Sequence, residues 1–173
     1  MRVLTLVPIG QVDRAHLTSL AERLAALLKV ACSIQPDGLD AGFAYNPLRG
    51  QYHSTEILKR LVQNQECWRV LGVADQDLYI PILTFVFGEA QVEARGALVS
   101  LHRLRQEFYG LPANPPLLAD RLLKEALHEL GHTLGLRHCT DYQCVMSRSH
   151  AVETIDLKLP EFCPACAAAF SAR

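Results

Sequence analysis

The stretch His128-Glu129-Leu130-Gly131-His132-Thr133-Leu134-Gly135-Leu136-Arg137-His138 restricts this chain more than any other feature. It fits the pattern H-E-x-x-H-x-x-G-x-x-H. Four residues apart on a helix, His128 and His132 stand within about 40° of each other around the axis and about 6 Å along it. Both rings can therefore reach one ion from one face. Glu129 lies about 100° around from His128, beside such an ion rather than on it. That is where a base for an activated water belongs. Gly135 lets the chain turn sharply out of the helix, and the turn returns His138 as a third nitrogen donor. Three protein ligands leave a fourth position to solvent, the arrangement of a catalytic zinc site and not of a closed structural one.

A second constellation follows at once. Cys139 is adjacent to His138, Cys144 comes five residues later, and Cys163 and Cys166 form a C-x-x-C. Four cysteines so spaced read as a tetrahedral, closed, structural zinc site. Four free buried thiols or two disulfides are the alternatives, and a reducing compartment disfavours the disulfides. The segment from Leu136 onward has too few apolar residues to hold itself, so a metal would pin it. Neighbouring side chains in extended chain point to opposite sides. The His138–Cys139 peptide is thus expected to hand one ligand to each of two metals. Met146, eight residues after His138, is the only methionine besides Met1; taken alone it reads as core packing. Cys32 and Cys67 sit among apolar neighbours and read as core residues.

Upstream the chain alternates strand and helix. Residues 2–9, 30–34, 68–74, 84–89 and 97–101 read as five strands. Asp13 is placed to cap a helix whose Leu17, Leu20, Leu24, Leu27 and Leu28 repeat at helical spacing. Ser54 is placed to cap a second helix with the stripe Ile57, Leu58, Leu61 and Val62. After Pro112, Pro115 and Pro116 a long helix is predicted from about Leu117 to Leu134, ended by Gly135. A short helix is predicted over residues 164–170, and the polar stretch 101–111, with Arg103, Arg105 and Tyr109, reads as a solvated helix face. The pattern implies an α/β sheet packed by helices in a single domain spanning 1–173. Within it, residues 1–135 form a sheet-and-helix subdomain and 136–173 a small zinc-stapled one.

With 50% apolar and 20% charged residues in 173, disorder is excluded. A net charge of −1 gives no electrostatic case for nucleic acid or an anionic membrane. The apolar runs 3–9 and 78–88 fall well short of the roughly 20 residues of a membrane helix. Gln11, Asp13 and Arg14 follow the first run where a signal peptide would have its small-residue cleavage site. A cytoplasmic protein is the expectation.

The helix motif, the cysteine directly after its third histidine, the C-x4-C-x-M of Cys139, Cys144 and Met146, and the distal C-x-x-C together resemble the archaemetzincin family of metzincin-clan peptidases. These motifs lie within residues 127–166. Leu71-Gly72-Val73, Phe87-Gly88-Glu89 and Val99-Ser100-Leu101 also look family-like, so the resemblance extends over most of the chain. It implies a zinc-dependent metallopeptidase with a metzincin-like fold, a twisted, mixed five-stranded sheet and an antiparallel edge strand above the cleft, with Glu89 and the segment Arg95–Leu101 flanking the candidates for that strand. It also implies two zinc ions per chain. His128, His132 and His138 would bind the catalytic one, and Cys139, Cys144, Cys163 and Cys166 the structural one. Glu129 would be the general base and Met146 the Met-turn methionine.

The expected chemistry is hydrolysis of a peptide or protein substrate by a monomer. Tyr142 and His150, close to the motif in sequence, read as surface or packing residues rather than oxyanion partners. A non-catalytic zinc scaffold and a nucleic-acid-binding zinc module are the competing readings, the latter disfavoured by charge. No propeptide precedes the first strand, so restraint is expected from a narrow cleft or from substrate choice.

Overall fold

The computed structural model describes residues 2–63 and 65–172. In chain order its elements are strand β1 (Val3–Ile9), helix α1 (Arg14–Leu28), β2 (Ala31–Ile34), the short strands β3 (Tyr45–Asn46) and β4 (Gln51–His53), α2 (Ser54–Leu61), β5 (Arg69–Ala74), β6 (Leu78–Tyr79), β7 (Gly88–Ala90), β8 (Gly96–Ser100), α3 (Pro115–Thr133), α4 (Val152–Leu157) and α5 (Pro164–Ser171).

Five strands form one mixed sheet in the order β2-β1-β5-β8-β7. The first four pair in parallel, and β7 closes one edge antiparallel to β8, with Gly88 opposite Val99 and Ala90 opposite Ala97. Alternating side chains go to opposite faces of a strand, and both faces are covered. Leu4, Leu6, Leu71, Val73, Ala97 and Val99 pack with α1 and α3 on one face. Val7, Ile9, Val70, Ala74 and Leu98 pack with Ile57, Leu58 and Leu61 of α2 on the other. This two-sided burial explains why the parallel strands are nearly free of polar residues. The cluster on the α1/α3 face also takes in Val145, Met146, Val152 and Ile155, so the segment after Gly135 shares the core of the sheet.

The helix starts follow capping chemistry. Asp13 accepts from the Ala15 N–H at 2.9 Å and Asn114 from the Leu117 N–H at 3.2 Å, with Pro115 and Pro116 opening α3. Gly135, with φ +80°, ends the helical path in the left-handed conformation that glycine takes without strain. Arg121 of α3, almost fully buried, holds Asp156 of α4 through two bonds of 2.8 and 2.7 Å and the Leu104 carbonyl through a third.

Three local expectations are corrected. Ser54 does not cap α2: His53 occupies that position, and the buried Ser54 hydroxyl goes instead to the Tyr79 carbonyl and the Glu89 carboxylate. Of residues 84–89 only 88 and 89 join a strand, because Thr84–Phe87 cross from the small β3-β4-β6 sheet to the main one. Residues 101–111 form two short 3-10 turns, and their arginines are not solvated: Arg103 forks onto Asp77 and Arg105 onto Asp75. The helix α4 and the small sheet went unpredicted, because two- and three-residue strands and a six-residue helix carry too little periodicity to register.

Glu89 ties the edge strand to α2 by accepting from both Ser54 and Thr55. Hydrogen bonds to a charged group contribute about 1.5–3 kcal/mol each, and losing the acceptor leaves the half-buried Thr55 hydroxyl short of its partner while Ser54 keeps the Tyr79 carbonyl. Glu89→Ala is expected to destabilise the protein by about 2 kcal/mol in urea denaturation and to speed amide exchange in β7.

Candidate active site

The last two turns of α3 carry His128, Glu129 and His132. After Leu134 the chain leaves the helix: the Gly135 N–H bonds the His132 carbonyl and the Leu136 N–H bonds the Gly131 carbonyl. His138 then swings back over the helix end. Its ring centroid lies 5.2 Å from that of His128 and 4.8 Å from that of His132.

Each helical imidazole has one nitrogen committed to the backbone. His128 Nδ1 lies 2.8 Å from the Val145 carbonyl, and His132 Nδ1 lies 2.8 Å from the Leu136 carbonyl. A carbonyl only accepts, so both Nδ1 atoms carry the proton and both Nε2 atoms present lone pairs. Those lone pairs converge: His132 Nε2 is 3.1 Å from His128 Nε2 and 3.3 Å from His138 Nε2. No proton is available to bridge the 3.1 Å pair. Nitrogens tetrahedrally bound to zinc at 2.0–2.1 Å would stand about 3.3 Å apart. The residues therefore fit a single cation. Burial holds His128 and His132 below the usual imidazole range, and burial together with His132 and Arg148 takes His138 down to about 4. All three rings are neutral at pH 7, the form that binds a metal.

The four downstream cysteines also meet. Their sulfurs lie within 4.8 Å of one another, and Cys139 Sγ stands 3.8 Å from Cys163 Sγ. That is far beyond the 2.05 Å of a disulfide and equals the roughly 3.8 Å between thiolates on a tetrahedral zinc. The Met146 and Cys163 N–H groups both point at the Cys144 sulfur, at 3.4 Å, and the Cys166 N–H helps hold the Cys163 thiol below its ordinary range. Donors aimed at sulfur favour the thiolate, while burial pushes the Cys144 and Cys166 thiols up. His138 and Cys139 face different clusters, as the extended-chain argument requires. The Cys139 N–H bonds the Met146 carbonyl at 2.9 Å, so the link between the clusters is itself fastened.

Met146 is fully buried against Gly131: a Cβ at residue 131 would sit 2.4 Å from its sulfur. Gly88 is a second close approach. A Cβ there would lie 2.5 Å from the Leu98 carbonyl oxygen and 2.9 Å from Glu129 Oε1, so the edge strand rests against the Glu129 side chain. Burial, then Glu125 and Glu89, push the Glu129 carboxyl well above its usual range. A cation on the neighbouring imidazoles would act in the opposite direction.

A cleft of about 440 Å³ opens over these groups. Residues 83–88 line one side, Arg148, Ser149 and His150 the other, and Glu125, His128, Glu129 and His138 its base. Tyr142 faces the adjoining cavity instead. Three residues here were not singled out in the sequence. Gly131 lay inside the motif as a variable position. Glu125 and Lys158 meet at the base, with Lys158 Nζ 3.3 Å from Glu125 Oε1 and fully buried. A Glu three residues before His128 on the same helix was a legible signal for the first; Lys158 had none.

The chain is similar over nearly its whole length to known proteins. The model of peptidase family M54 matches residues 40–171. The archaemetzincin of Methanocaldococcus jannaschii is 45% identical over 159 residues, which are 92% of this chain and 87% of that protein. The crystal structure of the archaemetzincin from Methanopyrus kandleri superposes with a TM-score of 0.85 at 36% identity, covering 99% of this chain and 94% of the other. The zinc-dependent peptidase from Methanocorpusculum labreanum gives 0.86 at 30% identity, covering 96% and 99%.

The Gly131 contact yields a direct test. Overpacking a filled interior costs about 1–3 kcal/mol, and valine in a helix interior is nearly as unfavourable as glycine, so propensity does not offset it. Gly131→Val is expected to displace Met146, to lower the thermal midpoint and to weaken metal retention in a chelator titration.

Proposed function

The chain belongs to peptidase family M54, the archaemetzincins, and is a zinc metallopeptidase; on that premise we propose that His128, His132 and His138 bind the catalytic zinc and that Glu129 is the general base for hydrolysis of a peptide bond. The observation that carries the proposal is the meeting of three neutral imidazole nitrogens, two of them with Nδ1 locked on carbonyls, at spacings that fit one tetrahedral ion.

A zinc ion held by these three residues would supply Lewis-acid chemistry, acidifying water and polarising the scissile carbonyl. The residues of the chain do the rest. Glu129, buried beside the rings, takes the proton of the attacking water and passes it to the leaving amine. His138, exposed on the open side of the cluster, leaves the solvent face accessible. Strand β7 ends the sheet, and its first residue, Gly88, lines the cleft with residues 83–87, so an extended peptide can pair alongside it. Met146 packs beneath the rings as the Met-turn residue.

Cys139, Cys144, Cys163 and Cys166 hold a second, structural zinc in the same reading, giving two per chain. Four protein ligands leave no position for a substrate, and their role is to fasten the segment 136–173 to the core. The protein acts on peptides as a single-domain monomer. Its six free cysteines suit a reducing cytoplasm, and among the described residues no helix is long and apolar enough to cross a membrane.

Glu129→Ala tests the chemistry. Peptide hydrolysis, followed by mass spectrometry on a peptide library, is expected to fall at least about 100-fold while zinc content stays unchanged. A wild-type protein without turnover would leave a zinc scaffold in place of an enzyme. Elemental analysis tests the second site: the wild type is expected to hold two zinc per chain, and Cys144→Ser/Cys166→Ser to lose one and to melt at lower temperature.

A further inference from the structure

We propose that Lys158 is a positioning residue for the metal centre: its buried ammonium clamps the Val145 carbonyl that orients His128. The inference rests on the reading of His128 as a zinc ligand and goes beyond it.

Lys158 follows α4, far from the motif in sequence. Its side chain is 0% exposed, which for a lysine demands a reason. The ammonium has two partners, each at 3.3 Å: Glu125 Oε1 and the Val145 carbonyl. That carbonyl is the acceptor for His128 Nδ1 at 2.8 Å. A carbonyl oxygen has two lone pairs; here one takes the imidazole N–H and the other the ammonium. Residue 145 is fastened on its other side too, since its N–H bonds the Glu161 carbonyl at 3.0 Å. Glu125, one turn before His128 on the same helix, completes the frame, held by Lys158 and by the Ser149 hydroxyl at 2.9 Å.

The two helical histidines thus differ in their support. The partner of His132 is the carbonyl of Leu136, four residues on and fixed by the helix end itself. The partner of His128 belongs to a separate segment, which has no regular secondary structure to hold it. Lys158 ties that segment to α3 through Glu125. A ring whose outer partner moves misdirects its Nε2, and changes of this kind typically cost about 10- to 100-fold in metal affinity or activity. A general structural role for an ion pair would lower stability without singling out one metal site.

The test compares Glu125→Gln with Glu125→Gln/Lys158→Met, both as the full chain. The first keeps the ammonium on the Val145 carbonyl. The second removes it without stranding a buried carboxylate. Each is titrated with Co2+: the sulfur charge-transfer band reports the cysteine site, and the d–d absorption left after subtracting the part that rises with that band reports the histidine site. The double variant is expected to bind metal at the histidine site about 10- to 100-fold more weakly than the single one. Its d–d band should change, kcat should fall at constant KM, and the cysteine band should persist. Equal affinity and an unchanged d–d band in the two variants would overturn the inference. If the wild type showed no histidine-site band at all, the reading of His128 as a ligand would fail first. A zinc-loaded crystal structure decides independently of any variant's folding: Lys158 Nζ within about 3.5 Å of the Val145 oxygen supports the clamp, and a larger separation removes it.

Discussion

Two imidazole N–H groups bonded to backbone carbonyls are the constraint from which the rest of this structure follows. Once His128 and His132 spend their Nδ1 protons on Val145 and Leu136, their second nitrogens have only lone pairs to offer. Those lone pairs face each other at 3.1 Å, where they repel unless a cation lies between them. A fold that holds them so is one in which metal binding and folding stabilise each other. The helix end, the turn at Gly135 and the loop through residue 145 are parts of one device for aiming nitrogen atoms.

The cysteine cluster belongs to the same device. His138 leaves the helix on a turn anchored by the buried Leu134 and Leu136 but is itself exposed, and its position depends on what holds Cys139. That residue is fixed through its sulfur, among three others, and through its N–H on the Met146 carbonyl. Met146 is in turn packed on Gly131, between the two helical histidines. The third histidine is therefore positioned from below by core packing and from behind by the cysteines. The buried Lys158–Glu125 pair adds a polar tie to the same loop.

On the opposite wall the edge strand is placed as closely. Gly88 admits the Glu129 side chain where any Cβ would collide with it, and Glu89, pointing to the other face of the sheet, anchors the strand to α2 through two hydroxyls. Successive residues of one short strand thus serve the cleft and the scaffold.

Much of this was legible in the residues. The spacing of His128, Glu129, His132 and His138 determined a helix, a turn and three converging imidazoles, because helical geometry converts intervals of one and four residues into fixed angles. The interval between Cys163 and Cys166, and the adjacency of His138 and Cys139, determined a second cluster on the other side of one peptide unit. Long amphipathic stripes marked α1 and α3. Ser54 misled because a serine before an apolar stripe looks like a cap, whereas its hydroxyl is claimed by Glu89 from a strand 35 residues away. Arg103 and Arg105 misled for the same reason, their partners Asp77 and Asp75 lying on another loop. Local pattern alone thus determined which groups carry the chemistry and at what angular spacing they leave the backbone. Only the tertiary structure decided which carbonyl orients each ring, why residues 88 and 131 must lack a side chain, and that a lysine lies buried beneath the site. Those depend on contacts between segments far apart in sequence, and no periodicity along the chain records which distant atoms will touch.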